Sequence, residues 1–364
     1  MTHAPPLRID IETPSRRYPV LIGEGALEEV RAALDRAGLG PSRFVVSSPT
    51  VWGHWGAALQ EALPEAAPVL VPDGERHKTL PTAARVYDAL VKGGADRSAA
   101  IVTFGGGVIG DLGGFAAATF LRGLPLAHVP TTLLAQVDAA IGGKVGVNLP
   151  GGKNLVGAFH QPSVVVADPR VLATLPRREF RAGLYEVLKY GVACEAALFD
   201  QVGRDLGPLS RRESPALTPV IAACCRIKGA VVAADERESG ARRVLNFGHT
   251  VGHALEAATR YRRFLHGEAV AYGMLAACRL ASARGAMPPA DAASVSGVIA
   301  QFGPLPPLND LSAAALLEYV QRDKKVSLGR LHFVLPTGVG GARIVDDVEE
   351  PELLRALREI GLNE

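Results

Sequence analysis

Aromatic side chains are scarce, at 5% of the 364 residues, which argues against a surface built to stack nucleobases. An excess of one charge is also missing. The 39 Lys and Arg residues balance 37 Asp and Glu, for a net charge of +2. Such a chain has no global field to hold nucleic acid or a membrane surface, although a local anion site stays open. Cysteine is limited to Cys194, Cys224, Cys225 and Cys278, with no C-x-x-C pair. Reduced, buried thiols are therefore expected. No uncharged apolar run reaches the ~18 residues that span a bilayer; the longest candidate, Ala269 to Cys278, is bounded by Glu268 and Arg279. The opening residues, Met1 to Pro6, lack the charged and then apolar segments of a secretory leader. A soluble, cytoplasmic protein is expected.

What is present suits a globular chain: 48% hydrophobic and 21% charged residues rule out wholesale disorder. At ~150 residues per domain, the length predicts about two domains. In the first half, short apolar runs alternate with helical patterns. Strands are predicted at Arg43–Ser48, Pro68–Val71, Ala99–Phe104 and Ser163–Ala167, with helices at Val51–Leu63 and Leu80–Val91. That alternation implies parallel βαβ units. From about Arg177 onward, Ala- and Leu-rich helical patterns dominate, as in Gly183–Ala197, Leu217–Ala234 and Val251–Arg260, with one late β-like run, Leu331–Leu335. The expected division is an α/β domain over residues 1–178 and a mostly helical domain over 179–364.

Glycine, at 40 residues, is clustered. Gly105-Gly106-Gly107-Val108-Ile109-Gly110-Asp111 follows a predicted strand and opens a helical segment. A strand, a glycine turn and a helix N-terminus make an anion site, because backbone N–H groups point outward and no side chain blocks a pyrophosphate. The plain alternative is a tight turn that packs helix on strand. Asp73-Gly74-Glu75-Arg76-His77-Lys78 follows another strand at its C-terminal end, where ligands gather in open α/β sheets, though an ordinary charged turn reads the same way. Asp138 to Lys144 and Gly151-Gly152-Lys153-Asn154 set two lysines in glycine turns, a pattern that suits phosphate capture.

Three of the nine histidines, His249, His253 and His266, fall within eighteen residues. His249 and His253 stand at i and i+4, on one helix face, so spacing alone makes them the first choice as a metal pair. A carboxylate could complete a set with open positions; Glu186 lies on an otherwise apolar helical stretch and needs a partner if buried. Core histidines and a surface glutamate are the bland alternative. Lys189, Lys228, Arg242, Arg243, Lys324 and Lys325 crowd the same half, as solubilising charges or as a pocket for an anionic substrate.

In order and completeness, these motifs resemble the 3-dehydroquinate synthase family, which belongs to the sugar phosphate cyclases. The resemblance runs from about Asp73 to Lys325. It is carried by Gly105–Leu112, Pro130–Asp138, Gly142–Lys144, Gly152–Pro162, Glu186–Gly191, Leu245–His253, His266–Glu268 and Asp323–Lys325. It implies a Rossmann-like parallel-sheet domain and a helical metal-binding domain, with the active site in the cleft between them. It also implies NAD, a divalent metal (zinc, with cobalt as the other candidate) and a homodimer. Glu186, His249 and His266 would ligate the metal, which moves His253 from the metal to the substrate. NAD would be held by Asp73, Gly74, Glu75, Arg76, His77, Lys78, Gly107, Val108, Ile109, Gly110, Asp111, Thr131 and Thr132. Asp138, Lys144, Lys153, Leu172 and Thr174 join that set. The substrate set would be Lys144, Lys153, Asn154, Lys189, Lys228, Arg242, Asn246 and His253, with Arg122 reaching across a dimer. Which of Lys324 and Lys325 faces the substrate is left open. Ala139 and Ala140 stand where many members have serines, and Val320 where a methionine is frequent.

The implied reaction converts 3-deoxy-D-arabino-heptulosonate 7-phosphate to 3-dehydroquinate and phosphate, in the shikimate route to chorismate and the aromatic amino acids. It runs by transient oxidation, β-elimination of phosphate, re-reduction and aldol closure. A metal-dependent polyol dehydrogenase of related fold is the main rival; another sugar phosphate cyclase and a non-catalytic binding protein are the others.

Overall fold

The runs of β-branched and small apolar residues become nine strands in the first half of the chain. They are β1 (Leu7–Glu12), β2 (Arg17–Ile22), β3 (Arg43–Ser47), β4 (Ala67–Leu70), β5 (Ala100–Gly105), β6 (Leu126–Pro130), β7 (Lys144–Leu149), β8 (Gly152–Phe159) and β9 (Val164–Ala167). Seven of them form one sheet in the order β1-β2-β9-β6-β5-β3-β4. Only β1 pairs antiparallel; its neighbours onward run parallel. Helices α1 (Val30–Arg36), α2 (Pro49–Ala62), α3 (Leu80–Lys92) and α4 (Gly107–Thr119) alternate with the strands. All five residues of β3 are buried, as in a parallel sheet covered on both faces. Alternate residues serve opposite cores. Val45 and Val102 join Leu34, Leu59 and Val166 in one cluster, while Val46 and Ile101 join Val86, Leu112 and Phe115 in the other.

The computed structural model describes residues 4–238, 240–326 and 332–364. By its contacts the chain divides into two units: the segment up to Pro176 with Arg212–Arg237, and Arg177–Arg211 with Glu238–Glu364. The later elements are α5 (Arg177–Ala193), α6 (Ala196–Arg204), α7 (Leu206–Ser210), α8 (Ser214–Ala234), α9 (His249–Ala258), α10 (His266–Ala283), α11 (Pro289–Gln301) and α12 (Ala313–Val326), then the hairpin β10 (Phe333–Gly338) and β11 (Gly341–Val345), and α13 (Glu350–Glu359). The predicted helix over Gly183–Ala197 is therefore two, broken after Ala193.

Helix α8 lies in the first unit, against β1 and β2. A single cut near residue 178 therefore does not describe the division by contacts. With a mean hydropathy of 1.6, α8 is long and apolar enough to cross a membrane, yet 61% of that window is buried inside the protein. A Cβ placed on Gly229 of α8 would fall 2.4 Å from the Ile11 side chain of β1, so the glycine lets the helix seat closely on the sheet edge.

In the second unit α10 packs on both α5 and α9 through small residues. A Cβ at Gly267 would fall 2.0 Å from the Ala182 carbonyl oxygen, and one at Gly273 would fall 1.8 Å from the Gly248 carbonyl oxygen. These contacts hold α10 at backbone distance from α5 and from the start of α9, and bring Glu186 in the middle of α5 to His249 and His266 at the starts of α9 and α10.

Candidate metal and nucleotide sites

Glu186 sits mid-way along α5 and is fully buried. His249 is the first residue of α9 and His266 the first of α10. Ligand atoms of the three lie within 4.8 Å of one another. The Nε2 of His266 is 3.6 Å from Glu186 Oε1. That is long for a hydrogen bond and close to the ~3.4 Å between two ligands each ~2.1 Å from a tetrahedral ion. Lys189 Nζ stands 2.7 Å from Glu186 Oε2, but neither carboxylate oxygen has a hydrogen-bond partner. With Lys189 on one side only, Oε1 is left short of a partner, which is costly in a buried site, and a divalent cation would satisfy it. The donor set of one carboxylate and two imidazoles suits zinc.

The histidines are held by neighbours. His249 Nδ1 lies 3.1 Å from the Phe247 carbonyl oxygen, and His266 Nδ1 lies 3.1 Å from Glu256 Oε2. Burial, with Lys189, His266 and His253 nearby, holds His249 well below the usual imidazole value, which is the neutral form a ligand needs. Burial pulls His266 the same way, but its bond to Glu256 and the charges of Glu186 and Glu256 hold it above that value. His253 is exposed one turn along α9, its ring 5.4 Å from that of His249. The same turn brings His253, Glu256 and His266 within 4.8 Å of one another, so the i, i+4 spacing finds the right face but not the grouping with Glu186. Arg242 is buried in the short helix 241–246, and Asn246 at its end donates to Glu238 at 2.8 Å. The side chains of Lys324 and Lys325 lie outside the described residues.

The first unit supplies a separate set. Strand β5 ends at Gly105, Gly106 caps α4 in an extended conformation, and Gly107, Val108, Ile109 and Gly110 form its first turn. No side chain caps that turn and no acidic residue stands in it, so the N–H groups ahead of Gly110, whose own N–H donates to the Gly106 carbonyl, are available to an anion. Nearby on the β6 side, Thr131 Oγ1 is buried without a partner, whereas Thr132 Oγ1 accepts from Ala135 N–H at 3.1 Å. The uncapped turn and the orphaned hydroxyl fit a dinucleotide.

Asp73, Gly74, Glu75, Arg76 and His77 follow β4, and Asp73 accepts from the Thr50 hydroxyl at 2.8 Å. Lys78 closes the segment as a buried hub. Its Nζ donates to Asp111 Oδ2 at 2.8 Å and to Asn154 Oδ1 at 2.6 Å, and pairs with Glu75 at 3.3 Å. Burial lowers the Lys78 ammonium value, but Asp111 and Glu75 outweigh it and hold it above the ordinary value. Asn148, which spacing did not single out, donates to Glu75 at 2.8 Å and accepts from Asn154 N–H at 2.9 Å.

Lys144, Lys153 and Asn154 are not in loops, as the glycines suggested. Lys144 starts β7, and Lys153 and Asn154 belong to β8, in an antiparallel hairpin. Lys228 of α8 pairs with the Asp138 carboxylate and donates to its carbonyl at 2.7 Å. Leu172 is fully buried and its carbonyl accepts from Arg212 at 2.7 Å, while Thr174 accepts from the Trp55 indole at 2.7 Å. Arg122 is exposed in a turn with φ of 68°. Cys225 and Cys278 are free thiols that burial pushes up to about 12, so both are inert.

Two of the solved structures that share this architecture are sugar phosphate cyclases. One is 2-epi-5-epi-valiolone synthase from Streptomyces hygroscopicus with NAD+ and Zn2+ bound, 31% identical, with a TM-score of 0.86 over 94% of this chain and 96% of that one. The other is 2-deoxy-scyllo-inosose synthase complexed with carbaglucose-6-phosphate, NAD+ and Co2+, 28% identical, with a TM-score of 0.87 over 97% of this chain and 99% of that one. The fold is that of the sugar phosphate cyclases. Residues 68–182 match the 3-dehydroquinate synthase N-terminal family and residues 183–326 its C-terminal counterpart. The 3-dehydroquinate synthase of Solibacter usitatus is 45% identical over 351 residues, 96% of this chain and 98% of its own. The chain belongs to the 3-dehydroquinate synthase family.

Proposed function

We propose that the chain is the carbon–oxygen lyase that turns 3-deoxy-D-arabino-heptulosonate 7-phosphate into 3-dehydroquinate and phosphate. The observation that carries this reading is the fully buried Glu186 carboxylate, its Oε2 beside Lys189 and its Oε1 without a hydrogen-bond partner, grouped with His249 and His266. When bound, zinc would lower the pKa of a substrate hydroxyl, and NAD would take up and return one hydride.

The chain's own residues do the rest. Glu186, His249 and His266 hold the metal. The uncapped first turn of α4, Thr131 and the Lys78 network hold the dinucleotide. Lys144, Lys153, Lys189, Lys228, Arg242, Asn154 and Asn246 bind carboxylate, phosphate and hydroxyls, stabilising charge as the phosphate leaves. His253, exposed beside the cluster, moves a proton at the substrate. Nucleotide binding falls mainly before residue 179 and metal binding after it. The protein acts as a cytoplasmic homodimer. Leu155 and Phe159, 58% and 46% exposed on one side of β8, together with Arg122, support a second copy as the partner.

The test supplies the heptulosonate phosphate, zinc-loaded enzyme and a trace of NAD. Phosphate released in large excess over NAD, without NADH accumulating, is the expected result. NADH accumulating on simple polyols without phosphate release would instead identify a polyol dehydrogenase.

A further inference from the structure

We infer that Glu256 is the positioning residue of the metal cluster, the carboxylate that orients His266 and selects which ring nitrogen faces Glu186. The inference rests on the reading of Glu186, His249 and His266 as metal ligands. Glu256 lies seven residues after His249 on α9, two turns along the same face. It is 3% exposed.

A neutral imidazole carries one N–H. Donated from Nδ1 to Glu256 Oε2 at 3.1 Å, that hydrogen leaves the lone pair on Nε2, the nitrogen 3.6 Å from Glu186 Oε1. His249 is set the same way, its Nδ1 at 3.1 Å from the Phe247 carbonyl oxygen. Both rings therefore present Nε2 to the cluster, one fixed by a carbonyl and the other by a carboxylate. A carboxylate in this position also makes the ligating nitrogen a stronger donor.

His253, Glu256 and His266 could themselves hold an ion, which would make Glu256 a ligand. The hydrogen bonding favours the positioning role. Glu256 Oε2 is engaged with His266, whereas Glu186 Oε1, the oxygen that faces His266, has no hydrogen-bond partner.

The experiment measures zinc affinity of the full-length protein by competition with a chromophoric chelator, and records the visible spectrum of the cobalt form. Wild type, Glu256→Gln, Glu256→Ala and Glu186→Gln are compared. Glu256→Ala is expected to weaken zinc binding about 10–100-fold. Glu256→Gln, which keeps a hydrogen-bond acceptor, is expected to weaken it less. Both should keep the wild-type cobalt spectrum and the melting temperature of the metal-free protein. Unchanged zinc affinity in Glu256→Gln and Glu256→Ala would overturn the inference. So would a cobalt spectrum altered in Glu256→Gln as it is in Glu186→Gln, because Glu256 would then be a ligand. If the alanine variant does not fold, Glu256→Gln decides alone. A wild-type chain that binds neither zinc nor cobalt would instead break the underlying metal reading.

Discussion

Arg178 of α5 grips Glu268 of α10 through two parallel bonds of 2.7 Å, Nε to Oε1 and Nη2 to Oε2. Glu268 also accepts from Leu265 N–H at 2.9 Å, just ahead of His266. This clasp joins the start of the helix bearing Glu186 to the start of the helix bearing His266. Arg178→Ala leaves a 1% exposed carboxylate short of a partner. With a discount for the half-exposed arginine, the expected loss is about 1–3 kcal/mol in urea unfolding. Arg178→Lys should recover only part, since an ammonium lacks the planar fork. Wild-type stability in Arg178→Ala would remove the clasp from the account.

The approach of α5 to α10 makes Gly267 intolerant of any side chain. Gly267→Ala drives a methyl into the Ala182 carbonyl, and separating the helices is expected to cost about 1–3 kcal/mol or more. Zinc affinity should fall with it. Gly297 of α11 has open space around it; Gly297→Ala is expected to stabilise by about 0.5–1 kcal/mol. Parallel denaturant titrations check both, and equal effects would refute the packing argument.

Lys78→Met strips the cation bonded to Asp111 and leaves that carboxylate and Glu75 facing each other. A loss of about 2–4 kcal/mol is expected, as for breaking a buried pair. In wild type, burial raises the Glu75 carboxyl, but Lys78, the Asn148 amide and Lys153 hold it below its ordinary value. Its stabilisation is complete above the ordinary carboxylate range and is lost as pH falls through the lowered value. Without Lys78 that loss should begin at higher pH. Melting temperatures across an acid series would show the shift, and coincident curves would argue against it.

Glu186→Ala and His253→Ala should separate binding from rate. The first is expected to lose zinc. The second should keep zinc at full stoichiometry and lose about 10²–10⁴-fold in turnover. Metal analysis with phosphate-release assays distinguishes them; full activity in His253→Ala would end its assigned role.

Much of the parallel sheet was legible because β3, β5 and β9 carry consecutive Val, Ile, Phe and Ala residues with few polar ones, the pattern that burial on both faces produces. Strand β1 was not, since Arg8 and Asp10 interrupt it at a solvated edge. The β7–β8 hairpin was hidden by its glycines, residues that normally speak against a strand. They are there because the strands nearly touch: a Cβ on Gly157 would fall 2.4 Å from the Val145 carbonyl oxygen. For the metal cluster, spacing marked the helix face through His249 and His253. It could not supply Glu186, which comes from a different helix, and Glu256 was overlooked although it continues the same face one turn beyond His253.

The return of α8 to the first unit has a consequence for how the chain is made. Residues up to Pro176 do not complete that unit; it lacks its cover over β1 until Arg237 has left the ribosome, after α5 to α7 of the other unit have already emerged. A fragment ending near residue 178 should therefore leave apolar residues of β1 and β2, Ile11 among them, open to water. The polypeptide passes from one unit to the other three times, at 176/177, 211/212 and 237/238. A single nick at any one of these crossings would leave the two units covalently joined through the other two.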